Sequence, residues 1–198
     1  MNFSPGNYLI IIAGLPGVGK TTAGKKLSDY LNYEFIEQNE VRREAGMRRM
    51  PKQQDAILRI IDQNIRKHLD DDRGVIVDSV HRYTGRRNQM YGVASCCKKR
   101  VITLEILYPE EKAKMNIRHR PVKGRGLISD PVDPKVYDKL AELWEDIERF
   151  DFKYPMNSHV SYAIYDREKN LFKKRKIQRG DGRIIKKIES ALCKIIVY

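Results

Sequence analysis

Gly14-Leu15-Pro16-Gly17-Val18-Gly19-Lys20-Thr21 is the stretch on which the reading of this chain turns. It directly follows the apolar run Tyr8–Ala13 and leads into Lys20–Leu31, a segment of helical character. The pattern G-x-x-x-x-G-K-[ST], set between a strand and a helix, is that of a phosphate-binding loop. Gly14 and Gly19 admit backbone angles that a side chain would forbid, so consecutive N–H groups can turn inward as an anion cradle. Leu15, Pro16, Gly17 and Val18 supply the rest of that backbone. A helix N-terminus adds partial positive charge at the same place. Lys20 is expected to reach the β- and γ-phosphates of a nucleoside triphosphate, and the Thr21 hydroxyl to hold Mg²⁺. Thr22 is expected to touch the α-phosphate.

The chain has 198 residues, of which 41% are hydrophobic and 33% charged. Those values suit one compact, soluble domain over 1–198. No apolar run approaches the roughly 18 residues a membrane span needs, and the first six residues lack the basic start of a leader peptide. Cys96, Cys97 and Cys193 are odd in number and show no paired spacing, which points to reduced thiols in a cytoplasmic protein. The formal net charge of +13 predicts attraction to polyanions, among them nucleotides, RNA or DNA. Ten Lys and Arg stand against Glu168 and Asp181 in the basic segment 167–187, and a second, acid-free cluster covers 118–125. The oligomeric state leaves no trace in the sequence.

Strand and helix patterns alternate along the chain. Strands are expected at Tyr8–Ala13, 33–36, 75–77 with Asp78 closing the run, 101–107 and 158–165. Pro51 opens a helix with Ile57, Ile61, Ile65 and Leu69 at spacing four. Further helices are expected over 39–47, 83–98 and from Pro109 until Pro121 ends it. Another runs from Pro134 with a core face of Val136, Leu140, Leu143, Trp144, Ile147 and Phe150, and Ile184, Ile185, Ile188, Leu192, Ile195 and Ile196 outline a closing one. The expected architecture is α/β: a three-layer P-loop NTPase fold with a five-stranded parallel sheet, helices on both faces, and a lid over about 118–130. Ligands in such sheets bind outside the carboxyl ends of the strands. That rule gathers the loop, Glu37–Arg42, Asp78 and the residues after Leu107 around one crevice.

Three further groups carry chemistry. Asp78 ends a buried apolar strand, the form of an acid that orients Mg²⁺ or the acceptor. Glu37, Asn39, Glu40 and Arg42 follow the second strand, where a carboxylate can accept a hydroxyl proton and an arginine can hold an acceptor phosphate. Arg118, Arg120 and Arg125 lie in a segment broken by Pro121, Gly124 and Gly126, suited to closing over the transferring phosphoryl group and excluding water. His68, His81 and His159 show no metal-ligand spacing and read as structural or surface residues.

With those residues in place the chain resembles the small P-loop kinases, and among them the AAA_33-type group that includes polynucleotide 5′-hydroxyl kinases. The resemblance spans about residues 8–166. It rests on the Gly14–Thr21 loop, Val75-Ile76-Val77-Asp78 with Arg86-Arg87-Asn88 soon after, and the Arg-rich lid followed by Tyr137. It implies ATP as donor, Mg²⁺ as cofactor, a lid arginine on the phosphates, and an acid-x-x-Arg motif after strand two whose acid is the general base. This chain departs from the motif. With Arg42 as the arginine, Asn39 holds the acid position, and an amide cannot accept the proton. Glu40, Glu37 or Asp78 would then take over, or the acceptor needs no strong base. The expected activity is γ-phosphoryl transfer from ATP to a hydroxyl of an anionic nucleotide or nucleic-acid acceptor. A small-molecule or nucleoside monophosphate kinase is one alternative, and an ATP-binding nucleic-acid module without transfer is another.

Overall fold

The computed structural model describes residues 7–47, 51–119, 133–153, 157 and 159–193. Arg120, Arg125 and the expected lid beyond His119 lie outside these residues, as do Ile195 and Ile196 of the closing helix. The elements run β1 (Tyr8–Ala13), α1 (Lys20–Leu31), β2 (Glu34–Glu37), α2 (Gln38–Glu44), α3 (Pro51–Asp70), β3 (Val75–Asp78), α4 (Thr84–Cys96), β4 (Arg100–Leu107), α5 (Glu110–Arg118), α6 (Lys135–Glu142), α7 (Ile147–Phe150), a single 3₁₀ turn (Asp151–Lys153), β5 (Val160–Asp166), β6 (Leu171–Lys176) and α8 (Gly182–Cys193). One six-stranded sheet has the order β2-β3-β1-β4-β5-β6. The first five strands are parallel, as their alternation with helices predicts, and β6 runs antiparallel against β5.

β1 is central and buried along its whole length, because helices cover both faces of the sheet. Its side chains alternate between two cores. Tyr8, Ile10 and Ile12 pack with Ala23 and Leu27 of α1, Ala113 and Ile117 of α5, and the isoleucines of α8. Leu9 and Ile11 pack with Ile57, Ile61, Ile65 and Leu69 of α3 and with Met90, Tyr91 and Ala94 of α4. The spacing-four stripe read from the sequence is therefore the buried face of α3, and each of its residues stabilises the fold by about 1.5–3 kcal/mol.

Two expectations need correction. The sheet has six strands rather than five, because 171–176 of the basic segment folds back as β6, with Phe172 buried while the other five side chains are exposed. The single helix expected from Pro134 is two helices. Asp146 caps α7 by accepting the Arg149 amide at 2.6 Å, and Glu145 just before it donates its own amide to the Arg82 carbonyl at 3.0 Å. That tie to the loop before α4 interrupts the helix. The inward face changes with it: Tyr137 is buried, whereas Val136 and Leu143 are exposed.

Candidate functional site

The sheet delivers its functional residues by register. Ile12 of β1 and Glu37 of β2 both pair with Asp78 of β3, so the ends of three strands meet at the start of the Gly14–Thr21 loop. Gly17 has φ +80°, and a Cβ there would lie 2.2 Å from the Ala113 carbonyl of α5. Only glycine fits that approach. Asn116 of the same helix donates its Nδ2 to the Gly17 carbonyl at 2.8 Å, which pins the loop from outside. Gly19, with φ +100°, forms the N-cap of α1; no side chain caps this helix and no acid occupies its first turn. Its first amides are thus set toward an anion. The Lys20 ammonium donates to the Leu15 carbonyl at 2.9 Å, arched over the loop. Thr22 follows, exposed, in the first turn of α1.

The Thr21 hydroxyl donates to Asp78 Oδ2 at 2.5 Å. Asp78 is 4% exposed. A hydroxyl and a carboxylate meeting at the helix N-terminus form a hard-oxygen pair whose chemistry fits Mg²⁺, which favours such ligands alongside phosphate oxygens and water. Among the described residues no cluster of three or more His, Cys, Asp or Glu offers an alternative metal centre.

On the β2 side, Arg42 is almost wholly buried. Its Nη1 donates to Asn39 Oδ1 and its Nη2 to Gln54 Oε1, both at 3.0 Å. Asn39 therefore orients the arginine. Glu40 instead forms a 2.6 Å ion pair with Arg43, each side chain nearly half exposed. Glu37 ends β2 beside Asp78. Arg118 closes α5, exposed, on the helix that touches Gly17.

Three residues near the loop escaped the sequence reading. Arg167, assigned there to the basic segment, follows β5 directly. Its guanidinium lies 4.4 Å from the centre of the Tyr108 ring and donates to the Val18 carbonyl at 3.3 Å. Its position after a strand end was the available signal. Trp144, read as core, is half-buried and lines a cavity of about 150 Å³ against the loop with Gly14, Leu15, Val18, Glu105, Tyr108 and Tyr137. His81, read as structural or surface, is 5% exposed and stands in the loop after Asp78 at φ +50°. No acceptor or donor meets either of its ring nitrogens at hydrogen-bond geometry among the described residues. Burial, and then the charges of Arg86, Lys20 and Arg87, hold its pKa well below the usual imidazole value, with the Val77 carbonyl opposing in part.

The His81 backbone is clamped from below. Arg87, fully buried, donates Nη1 to the His81 carbonyl at 2.7 Å. Its Nε and Nη2 donate to Asp151 Oδ2 and Oδ1, both at 2.7 Å, and Asp151 also accepts from the Tyr91 and Thr84 hydroxyls.

A family model described as an AAA domain, AAA_33, matches residues 9–139. Among solved structures, Kti12 of Chaetomium thermophilum in complex with ADP-AlF3 superposes with a TM-score of 0.59 at 22% identity, over 93% of this chain and 98% of that one. A gluconokinase from Sinorhizobium meliloti gives 0.55 at 15% identity, over 98% and 95%. A chain of the Pnkp1/Rnl/Hen1 RNA repair complex gives 0.61 at 15% identity, with 78% of this chain matched to 48% of that one. No curated protein matches the sequence. At these identities the likeness is one of fold, and the fold is that of the P-loop kinases.

Proposed function

The chain belongs to the AAA_33 family of AAA domains, and from that premise we propose that it is an ATP-dependent kinase acting on a hydroxyl of an anionic nucleotide or nucleic-acid acceptor. The observation that carries the reading is the Thr21–Asp78 hydrogen bond, which fixes a buried carboxylate against the uncapped N-terminus of α1. The loop amides and Lys20 take the β- and γ-phosphates, and Arg118, Arg120 and Arg125 close over the transferring group. Thr21 and Asp78 would hold Mg²⁺, which would supply positive charge against the charge developing on the phosphates. The anionic character of the acceptor is supported by Arg42, a guanidinium oriented by two amides beside the crevice, and by the net charge of +13. The three free cysteines and the absence of a membrane-crossing helix among the described residues suit a cytoplasmic enzyme.

The amide at position 39 favours a second reading, a nucleotide-binding module without transfer. One experiment separates the two: labelled ATP and Mg²⁺ incubated with 5′-hydroxyl oligonucleotides, nucleotides and polyols. Label on an oligonucleotide or nucleotide is the expected result. Label on a polyol alone makes it a small-molecule kinase, and tight ATP binding with no transfer supports the second reading.

A further inference from the structure

We propose that His81 is the group against which the acceptor hydroxyl is set: a ring nitrogen accepts its hydrogen bond and takes its proton, while Arg86 Nη2 donates to a neighbouring anionic oxygen of the acceptor. The inference rests on the kinase reading and names its missing base. Asn39 cannot serve, Asp78 is engaged by Thr21, Glu40 is engaged by Arg43 in solvent, and Glu37 at the end of β2 is itself engaged.

Three observations carry it. First, His81 is a buried side chain and, the pull of the Val77 carbonyl aside, neither of its ring nitrogens meets a partner at hydrogen-bond geometry among the described residues, a condition that costs free energy unless a ligand completes it. Second, Arg86 has an open donor too: Nη1 is tied to Asp62 at 2.9 Å, while Nη2 is buried and meets no partner among the described residues. Third, the position is built. His81 holds a left-handed φ of +50°, and the buried Arg87–Asp151 pair keeps it there through the His81 carbonyl. The loop carrying it leans on the phosphate-binding loop, with the Gly14 amide directed to the Val80 carbonyl at 3.4 Å.

The charges facing the ring are Lys20 from α1, and Arg86 and Arg87 from α4; Arg86 is balanced by Asp62 and Arg87 by Asp151. The ring is therefore neutral in the free protein and has a lone pair to offer. Triphosphate bound at Lys20 offsets one of those cations and lifts the basicity of the imidazole as the reaction is set up. In the step itself the acceptor oxygen forms a bond to the γ-phosphorus as the bond from that phosphorus to the β–γ bridging oxygen breaks. ADP leaves with the electron pair, and the hydroxyl proton passes to His81 and then to solvent.

The test uses the full chain and two variants. His81→Asn keeps a residue that tolerates positive φ, and His81→Gln is the second, with thermal melts confirming that each is folded. Transfer from ATP to a 5′-hydroxyl oligonucleotide, and to water as the minimal acceptor, is followed across about pH 5.5–9. Wild type is expected to lose rate on the acid side as the imidazole protonates. The variants are expected to fall about 10²–10⁴-fold and to lose that acid limb. Transfer within threefold of wild type, or an acid limb that persists, overturns the proposal. If wild type transfers to neither acceptor, the kinase reading fails separately, and nitrogen-15 spectra of the histidines with the magnesium complex of a non-hydrolysable ATP analogue decide. A His81 ring whose titration midpoint rises on binding supports the site, and an unmoved one overturns it.

Discussion

Arg87 and Asp151, 64 positions apart in the chain, meet as a fully buried two-point ion pair, Nε to Oδ2 and Nη2 to Oδ1 at 2.7 Å each. The Tyr91 and Thr84 hydroxyls also donate to Asp151, and Arg87 Nη2 reaches the Glu145 carbonyl at 2.9 Å. A buried pair with one partner removed leaves an uncompensated charge, at a cost of about 3–5 kcal/mol. Asp151→Ala is expected to lower stability by that amount in urea unfolding. Arg87→Lys is expected to come close to it, because an ammonium cannot reproduce the planar fork. A loss under about 1 kcal/mol in both would show that the network is not what holds the loop after β3.

Thr21→Ser keeps the hydroxyl that Asp78 accepts, and Thr21→Ala removes it. If this pair holds Mg²⁺, the serine variant should retain its metal dependence and the alanine variant should need far more metal for the same ATP turnover. Asp78→Asn should behave like Thr21→Ala. Lys20→Ala should abolish turnover while the melting curve stays in place, since the Lys20 ammonium donates to the loop's own Leu15 carbonyl and not to the core. A metal titration of turnover for the Thr21 and Asp78 variants is the check, with a thermal melt and a turnover assay for Lys20→Ala, and identical midpoints for serine and alanine would remove Thr21 from the metal site.

Gly17→Ala tests the loop's packing independently of chemistry. The new methyl would fall 2.2 Å from a backbone carbonyl of α5, which cannot swing aside, at a φ of +80°. Strain of this kind costs about 1–3 kcal/mol, and relief requires α5 to move away from the loop. Both a lower melting temperature and weaker ATP binding by calorimetry are expected. A variant that binds ATP as wild type does would mean that α5 does not set the loop's shape.

The parts of this fold legible in the sequence are those in which one short stretch carries the whole signal. The Gly14–Thr21 loop, the apolar β1 and the Asp78 strand end each satisfy their constraint within a few residues. Arg167 beside Val18 and the Arg87–Asp151 pair do not, because their partners are distant in sequence and close only after the sheet forms. β6 was hidden for another reason. Five of its six side chains are exposed, so its buried apolar content shrinks to Phe172 and the cations drown the period-two pattern. Trp144 packs against the Ala13, Ile147 and Tyr162 cluster, as its bulk suggests, and it also walls a cavity at the loop, which aromatic bulk alone does not reveal.

Glu105 gives the fold a pH dependence with a definite sign. Burial raises its pKa above the ordinary carboxylate value, and the charges of Asp146 and Asp151 push the same way, against the Tyr162 hydroxyl bond and the charge of Arg87. The folded protein thus binds this proton more tightly than the unfolded chain. Its contribution is fully present below the ordinary carboxylate pKa and is lost as pH rises toward the raised value. Glu105→Gln should therefore gain stability relative to wild type as pH rises through that window. Urea midpoints measured from about pH 4 to pH 8 provide the comparison, and parallel curves for the two proteins would contradict it.

The basic edge strand has two physical uses that one variant can tell apart. Cations on an open sheet edge keep a second copy from pairing with it, and cations in a row also attract a nucleic-acid backbone. Lys174 is tied to Glu189 at 2.7 Å and Arg175 to Glu148 at 2.6 Å, so part of the segment's charge is already balanced within the chain. Lys173 is exposed on the same strand. In Lys173→Thr/Arg175→Thr, contact with a single-stranded oligonucleotide through both residues would reduce the slope of log affinity against log salt by about 1.4. If edge protection is their role, the slope stays and light scattering shows concentration-dependent association absent from wild type. Because Arg175 already has an acidic partner, the smaller slope change, near that of one phosphate, together with new self-association, is the expected result.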